Sequence, residues 1–357
     1  MSDPLTPLRI TPEDLAEAAK PAEQASAPAV GESRSLEPGK KSYGNINTMP
    51  DGPALEAGRA SILLQAWFYL GLAGLVGALA GWAVAEPGFV DGPEAIRRWG
   101  NVLMTPLLVA LMCVGFAVAE SIVERSARKV LIRGGLALPL GMVLGFAFSN
   151  LANVFYSLAL FICFQSGIQS FHNPGTWIAR GLAWMVLGAA GGVVYGIIGQ
   201  SMKQTGYGVL GGAVGAALGG FIFDPISFAT HAGGASRAVG FGLLGLATGI
   251  AIGLVESALK DRWLYVTSGP LAGKQFILYK PQTSIGSAQT CDIYLFKDTA
   301  ILPQHGVLAI KAAKVYLIAQ GAAFVGGQPV RGSRLLESGN ILQVGRYSFR
   351  YQERQRS

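Results

Sequence analysis

Apolar residues run through the middle of the chain in long blocks separated by short polar breaks, and after Arg262 the blocks give way to short alternating runs. Six blocks have the length of membrane helices: 62–84, 102–122, 131–149, 179–200, 206–224 and 238–259. Each is near the roughly 20 residues that a helix needs to cross a hydrocarbon core about 30 Å thick. Residues 151–168 are apolar as well, with Asn150 and Asn153 at their start, and are predicted as a re-entrant outer-face helix or a seventh span. Residues 1–58 show no lasting apolar period and are rich in Pro, Glu, Ala, Ser and Gly, which predicts a disordered tail. The first apolar run begins only near Ser61 and reads as an uncleaved anchor.

The helical region, 59–262, is organised by glycine. Laying Arg180–Lys203 over Arg237–Lys260, a shift of 57 residues, superposes Gly188, Gly192 and Gly196 on Gly245, Gly249 and Gly253. Such a period indicates one supersecondary unit used twice. Between the copies, Gly211, Gly215 and Gly219 form a third ladder. A glycine at every fourth position of a helix lies on one face, where it lets another backbone come close. In water each would cost about 1 kcal/mol against alanine. The fold predicted here is therefore an α-helical polytopic bundle of Gly-zipper hairpins in lipid. Gly206-Tyr207-Gly208-Val209-Leu210-Gly211 fits a dinucleotide fingerprint, but apolar spans flank it and no acid lies at the required distance.

Residues 263–357 carry short alternating runs at 263–266, 275–279, 293–295, 307–310, 315–318, 341–344 and 347–351, with Gly- and Pro-containing turns between them. That spacing predicts an all-β antiparallel sandwich.

Charge is sparse, 14% of 357 residues against 51% hydrophobic, and unevenly placed. The last 95 residues hold 11 basic and 4 acidic side chains, an excess equal to the whole net charge of +7. Three cysteines, Cys113, Cys163 and Cys291, and three histidines lie scattered, so no disulfide framework, metal site or catalytic triad is expected. No cofactor motif and no enzyme signature is present. The basic connector with Arg125, Arg128, Lys129 and Arg133 is expected inside the cell, as are Lys203 and Lys260. With six spans, both termini are then cytoplasmic and the protein is a multi-pass plasma (inner) membrane protein. Glu120, Glu124 and Glu256 read as solvated helix ends, while Arg180, Asp224, His231 and Arg237 map to the outer boundary. With no acid or base at a predicted midplane, transport is disfavoured.

In order, Ser284-Ile285-Gly286-Ser287, Cys291-Asp292-Ile293-Tyr294-Leu295, Pro303-Gln304-His305-Gly306 and Val325-Gly326-Gly327-Gln328-Pro329-Val330 make residues 263–353 resemble a forkhead-associated (FHA) domain. The whole chain is similar to bacterial membrane proteins in which Gly-rich hairpins precede a cytoplasmic FHA domain. The resemblance implies a two-sheet sandwich whose loops bind phosphothreonine peptides. Gly286, His305 and Gly327 are kept. Ser287 stands where the family has Arg, Leu302 where it has Ser, and Gly326 where it has Asn. The kept residues shape loops, and those replaced are the ones that would touch phosphate; a serine hydroxyl cannot replace a bidentate guanidinium.

The expected function is a membrane-anchored adaptor or signalling protein that presents this degenerate FHA domain to a cytoplasmic protein or peptide, with an acidic or phosphorylated partner among those its basic surplus admits. The alternative is a channel or transport component. Lipid is an expected partner and nucleic acid is not. Glycine faces turned outward would also join copies of the chain into a homo-oligomer.

Overall fold

The computed structural model describes residues 62–90, 98–168, 170–229 and 233–354. The predicted tail and His231 lie outside them. The chain divides into two compact units. One is helical, residues 60–263 together with 273–280; the other is a sandwich of 264–272 and 281–355.

The helical unit contains α1 (Ala66–Ala85), α2 (Trp99–Val123), α3 (Ala127–Gln165), α4 (Pro174–Gly199), α5 (Met202–Ala229) and α6 (Gly234–Leu259). All six are long and apolar enough to cross a membrane. Local signals place their ends. Asn173 accepts from the Gly175 amide with Pro174 at the first position, so α4 starts earlier than apolarity alone suggests. Left-handed Gln200 ends it, with φ of 56°. The Ser126 side chain caps α3 through the Lys129 amide.

The expectation of a separate segment at 151–168 is corrected. Residues 131–149 and 151–168 belong to one 39-residue helix, α3. Pro139 does not interrupt it, and Asn150 is no breaker because its amide donates back to the Phe146 carbonyl at 2.8 Å. At 1.5 Å per residue α3 is about 58 Å long.

Neighbours pack in a closed sequence, α1 to α2 through to α6 and back to α1. Along α4–α5, a Cβ at Gly188 would overlap the Gly212 carbonyl, at Gly192 the Gly208 carbonyl, and at Gly196 the Thr205 backbone. Along α5–α6, Gly211, Gly215 and Gly219 face the backbones of Ile252, Thr248 and Leu244. Along α6–α1, Gly245, Gly249 and Gly253 face Gly74, Leu70 and Trp67. At these positions a main chain occupies the place of a side chain. Two arginines 57 residues apart make like contacts at the opposite end from Lys203. Arg180 pairs with Asp224 at 2.9 Å with its guanidinium 5.0 Å from the Tyr156 ring, and Arg237 pairs with Glu86 at 2.6 Å beside the Phe89 ring.

Two of the supposed solvated ends are buried: Glu124 is 1% exposed and Glu256 3%. Glu124 binds Lys129 and Lys274, and Glu256 accepts from the hydroxyls of Tyr195 and Tyr279. Glu120 keeps 31% of its side chain exposed and pairs with Arg133 at 3.3 Å.

The strands are β1 (Arg262–Ser268), β2 (Gln275–Ile277), β3 (Gln282–Gly286), β4 (Ile293–Tyr294), β5 (Gly306–Lys311), β6 (Lys314–Ala319), β7 (Ala323–Val325), β8 (Gln328–Pro329), β9 (Ser333–Leu336), β10 (Ile341–Val344) and β11 (Tyr347–Glu353). One sheet has the order β2-β1-β11-β10-β7-β8 and the other β4-β3-β5-β6-β9. One pair departs from the antiparallel expectation, since β3 and β4 run parallel through Ile285 and Ile293. Leu264, Val266, Ile285, Leu308, Val315, Leu317, Leu342 and Phe349 form the core of the sandwich.

Candidate functional site

The site is built at one end of the five-stranded sheet, where β3 leaves and β5 enters. Gly286 closes β3, and a Cβ there would overlap the Pro303 carbonyl, so glycine lets the two loops touch. They are then laced together by the amides of Ser287 and Ala288, which donate to the carbonyls of Leu302 and Pro303 at 2.9 and 3.0 Å. The Ser287 hydroxyl turns inward to the Ile301 carbonyl at 2.8 Å. Cys291, buried, donates its thiol to the Pro303 carbonyl at 3.2 Å.

His305 is the pin beneath these loops. It is 2% exposed, and its Nδ1 accepts from the Leu302 amide at 3.2 Å. That contact leaves the proton on Nε2, which donates to the Ala322 carbonyl at 3.1 Å. Its own carbonyl accepts from the amides of Gln320 and Gly321, so the loop before β5 and the loop after β6 meet at one histidine. Leu302, whose own amide makes the pin's first bond, has a side chain that stands exposed (45%).

The structure brings Gly286, Ser287, Leu302 and His305 together and leaves Gly326 and Gly327 elsewhere. Those two form the turn between β7 and β8, both with positive φ (58° and 78°), and the Gly326 amide donates to the Ile341 carbonyl of β10 in the same six-stranded sheet. The residue at the site is instead Gly321, where a Cβ would overlap the His305 ring. Sequence reasoning missed it because a Gly-Gly pair beside a strand is the stronger local signal. Only the β5–β6 register, with Gly306 opposite Ala319, carries Gly321 to the histidine.

Among residues 286–291 and 302–305 the ionisable side chains are Cys291 and His305, both buried. An anion at the laced loops would meet no cation from these segments and a serine hydroxyl already committed inward. Nearby, Asp298 accepts from the amides of Arg346 at 2.8 Å and Ala300 at 3.0 Å. The Arg346 amide foremost, then that of Ala300, holds its carboxyl below the usual range. The Tyr347 hydroxyl donates to the Phe296 carbonyl at 2.6 Å, and burial pushes its pKa up to about 12. Among the described residues no group of three or more His, Cys, Asp or Glu side chains is placed to hold a metal.

Residues 265–355 match one family model. It is described as the inner membrane component of T3SS, cytoplasmic domain. Over 87 residues the chain is 31% identical to an oxoglutarate dehydrogenase inhibitor from Corynebacterium efficiens, which aligns with 24% of this chain. The chain spans 60% of that relative's length. Solved structures similar to the sandwich include the cytoplasmic domain of the T3SS sorting platform protein PscD from P. aeruginosa, at 25% identity over 27% of this chain and 83% of that one, TM-score 0.24. The FHA domain of the CT664 protein from Chlamydia trachomatis is similar at 22% identity, covering 27% of this chain and all of that one, with TM-score 0.25. Likeness at these scores carries nothing about binding. With the motifs on the loops that meet at His305, the sandwich is of the FHA type.

Proposed function

We propose that this chain is a membrane-anchored adaptor whose FHA-type sandwich, on the cytoplasmic side of the inner membrane, recognises a protein partner without needing its phosphate. The observation that carries the reading is the laced loop pair: held by backbone hydrogen bonds and His305, it presents exposed Leu302 and no cation. A preorganised loop loses little entropy on binding. The family model matching residues 265–355 supports the setting, since its description is of an inner-membrane component with a cytoplasmic domain. No catalytic role is proposed. Six membrane helices with both termini inside follow from the basic connector between α2 and α3 and from Lys203 and Lys260.

A channel or transport component is the less favoured reading. The space among α2, α4 and α6 is lined by apolar side chains such as Leu108, Met112, Leu187 and Leu244, with Thr248 the one polar side chain among them. Ion flux through liposomes carrying the full chain would favour that reading.

The adaptor reading is tested with the full chain in nanodiscs, presented to matched libraries of phosphothreonine and unphosphorylated peptides. Peptides that bind equally in both forms, and lose binding in Leu302→Glu, are the expected result. Binding that depends strictly on phosphothreonine in the wild type would refute it. In the paired variant Ser287→Arg with Leu302→Ser, phosphopeptide preference should emerge.

A further inference from the structure

The helical unit includes one element that is not a helix, residues 273–280 with β2 at their centre. Its first cation is wholly buried: Lys274 is 0% exposed. The Lys274 ammonium donates to Glu124 Oε1 at 2.7 Å, lies 3.5 Å from the Glu120 carboxylate and faces the Phe276 ring at 4.4 Å. The other Glu124 oxygen is taken by Lys129 at 2.9 Å, and Arg133 sits on Glu120. Further along, the Tyr279 hydroxyl donates to Glu256 Oε1 at 2.8 Å, and Gln275 accepts from Lys260. Burial raises the pKa of that phenol, with the Glu256 charge adding to the effect, so it stays a donor.

The ion pairs around Lys274 assign the segment its role. At this end Glu124 is paired with Lys129 and Glu120 with Arg133, while Glu256 accepts from the hydroxyls of Tyr195 and Tyr279. Lys274 adds a third cation, which lies against both of these paired glutamates, Glu124 and Glu120. Two glutamates four residues apart, one in the last turn of α2 and one at its C-cap, that share a single buried ammonium make a built cation pocket. A buried ion pair adds little net stability against an apolar replacement of both partners, whereas loss of one partner leaves an uncompensated charge.

We propose that Glu120 and Glu124 form a primary-ammonium site filled in cis by Lys274, which makes residues 273–280 a charge-held strap across the inner ends of α2, α3 and α6. The strap cannot lift without another cation taking its place, and the chemical class that fits is an unbranched primary ammonium, such as a lysine side chain of a partner. A bulky quaternary ammonium, with no N–H to donate, does not fit. This inference is independent of what the FHA loops bind.

The test uses the full chain in nanodiscs, with hydrogen exchange of residues 275–280 as the readout. Lys274→Met should raise exchange there about tenfold or more, and adding Glu124→Gln to it should restore protection. Lys274→Ala removes a propylammonium's worth of atoms, so millimolar n-propylammonium should restore protection to that variant while tetramethylammonium does not. The proposal falls if Lys274→Met exchanges like the wild type. It falls equally if Glu124→Gln only worsens the Met variant, or if the two ammonium ions act alike.

Discussion

Alanine at Gly192 is the sharpest probe of how the helical unit is held, because its cost separates into two parts with opposite sign. In an isolated helix, Gly→Ala gains about 1 kcal/mol of propensity. Gly135, with nothing within 4 Å of where a Cβ would lie, should report that gain alone. At Gly192 the new methyl would overlap the carbonyl of Gly208 and press on the Val209 amide, and both are backbone of α5 that cannot rotate away. The helices must part locally, and overpacking of this kind costs about 1–3 kcal/mol. The difference between the two alanine variants therefore isolates the α4–α5 seam at about 1–3 kcal/mol, whatever the shared propensity contributes. Reversible unfolding by a denaturing detergent, followed by circular dichroism at fixed lipid composition, measures both. If Gly135→Ala and Gly192→Ala shift stability by the same amount, close backbone packing does not hold this pair together.

Three further outcomes are expected. His305→Ala strands the Leu302 amide and the Ala322 carbonyl, a cost of about 1–3 kcal/mol for each buried group, and hydrogen exchange at Leu302 should rise while the distant β7–β8 turn is unchanged. Asp298 has a folded pKa below its unfolded value, so its contribution is present above about pH 4 and is lost as pH falls through the lower folded value. Asp298→Asn should thus be less stable than wild type at pH 7 in near-ultraviolet circular dichroism melts, and the gap should close on acidification. Single cysteines at Arg125 and Lys203 should react with an impermeant maleimide only after the inner face is opened, while one at Ser170 reacts from outside intact cells; the reverse pattern would overturn the orientation.

What the sequence could and could not convey follows from how far each feature's partner lies along the chain. The glycine ladders were legible because a four-residue spacing is local, and so was the change from long apolar blocks to alternating runs at Arg262. Asn150 was misleading for a local reason as well: an amide in an apolar run reads as a break, yet within a helix it simply bonds back to Phe146. Glu124 and Glu256 were illegible in a different way. Each sits at a helix end, where a carboxylate is ordinarily solvated, and what buries them includes Lys274 and Tyr279, residues on either side of β2, 150 and 23 positions further on. No periodicity links those positions; an ion pair and a hydrogen bond do, once the fold has brought them together. The same holds for Gly321, which sits under His305 by sheet register and not by motif. The loop site and the strap thus share one property: a residue whose chemistry is ordinary in sequence becomes decisive through a neighbour that only the completed fold supplies. For the strap that neighbour is a single ammonium, so its removal and replacement can be watched directly, without knowing what the protein binds.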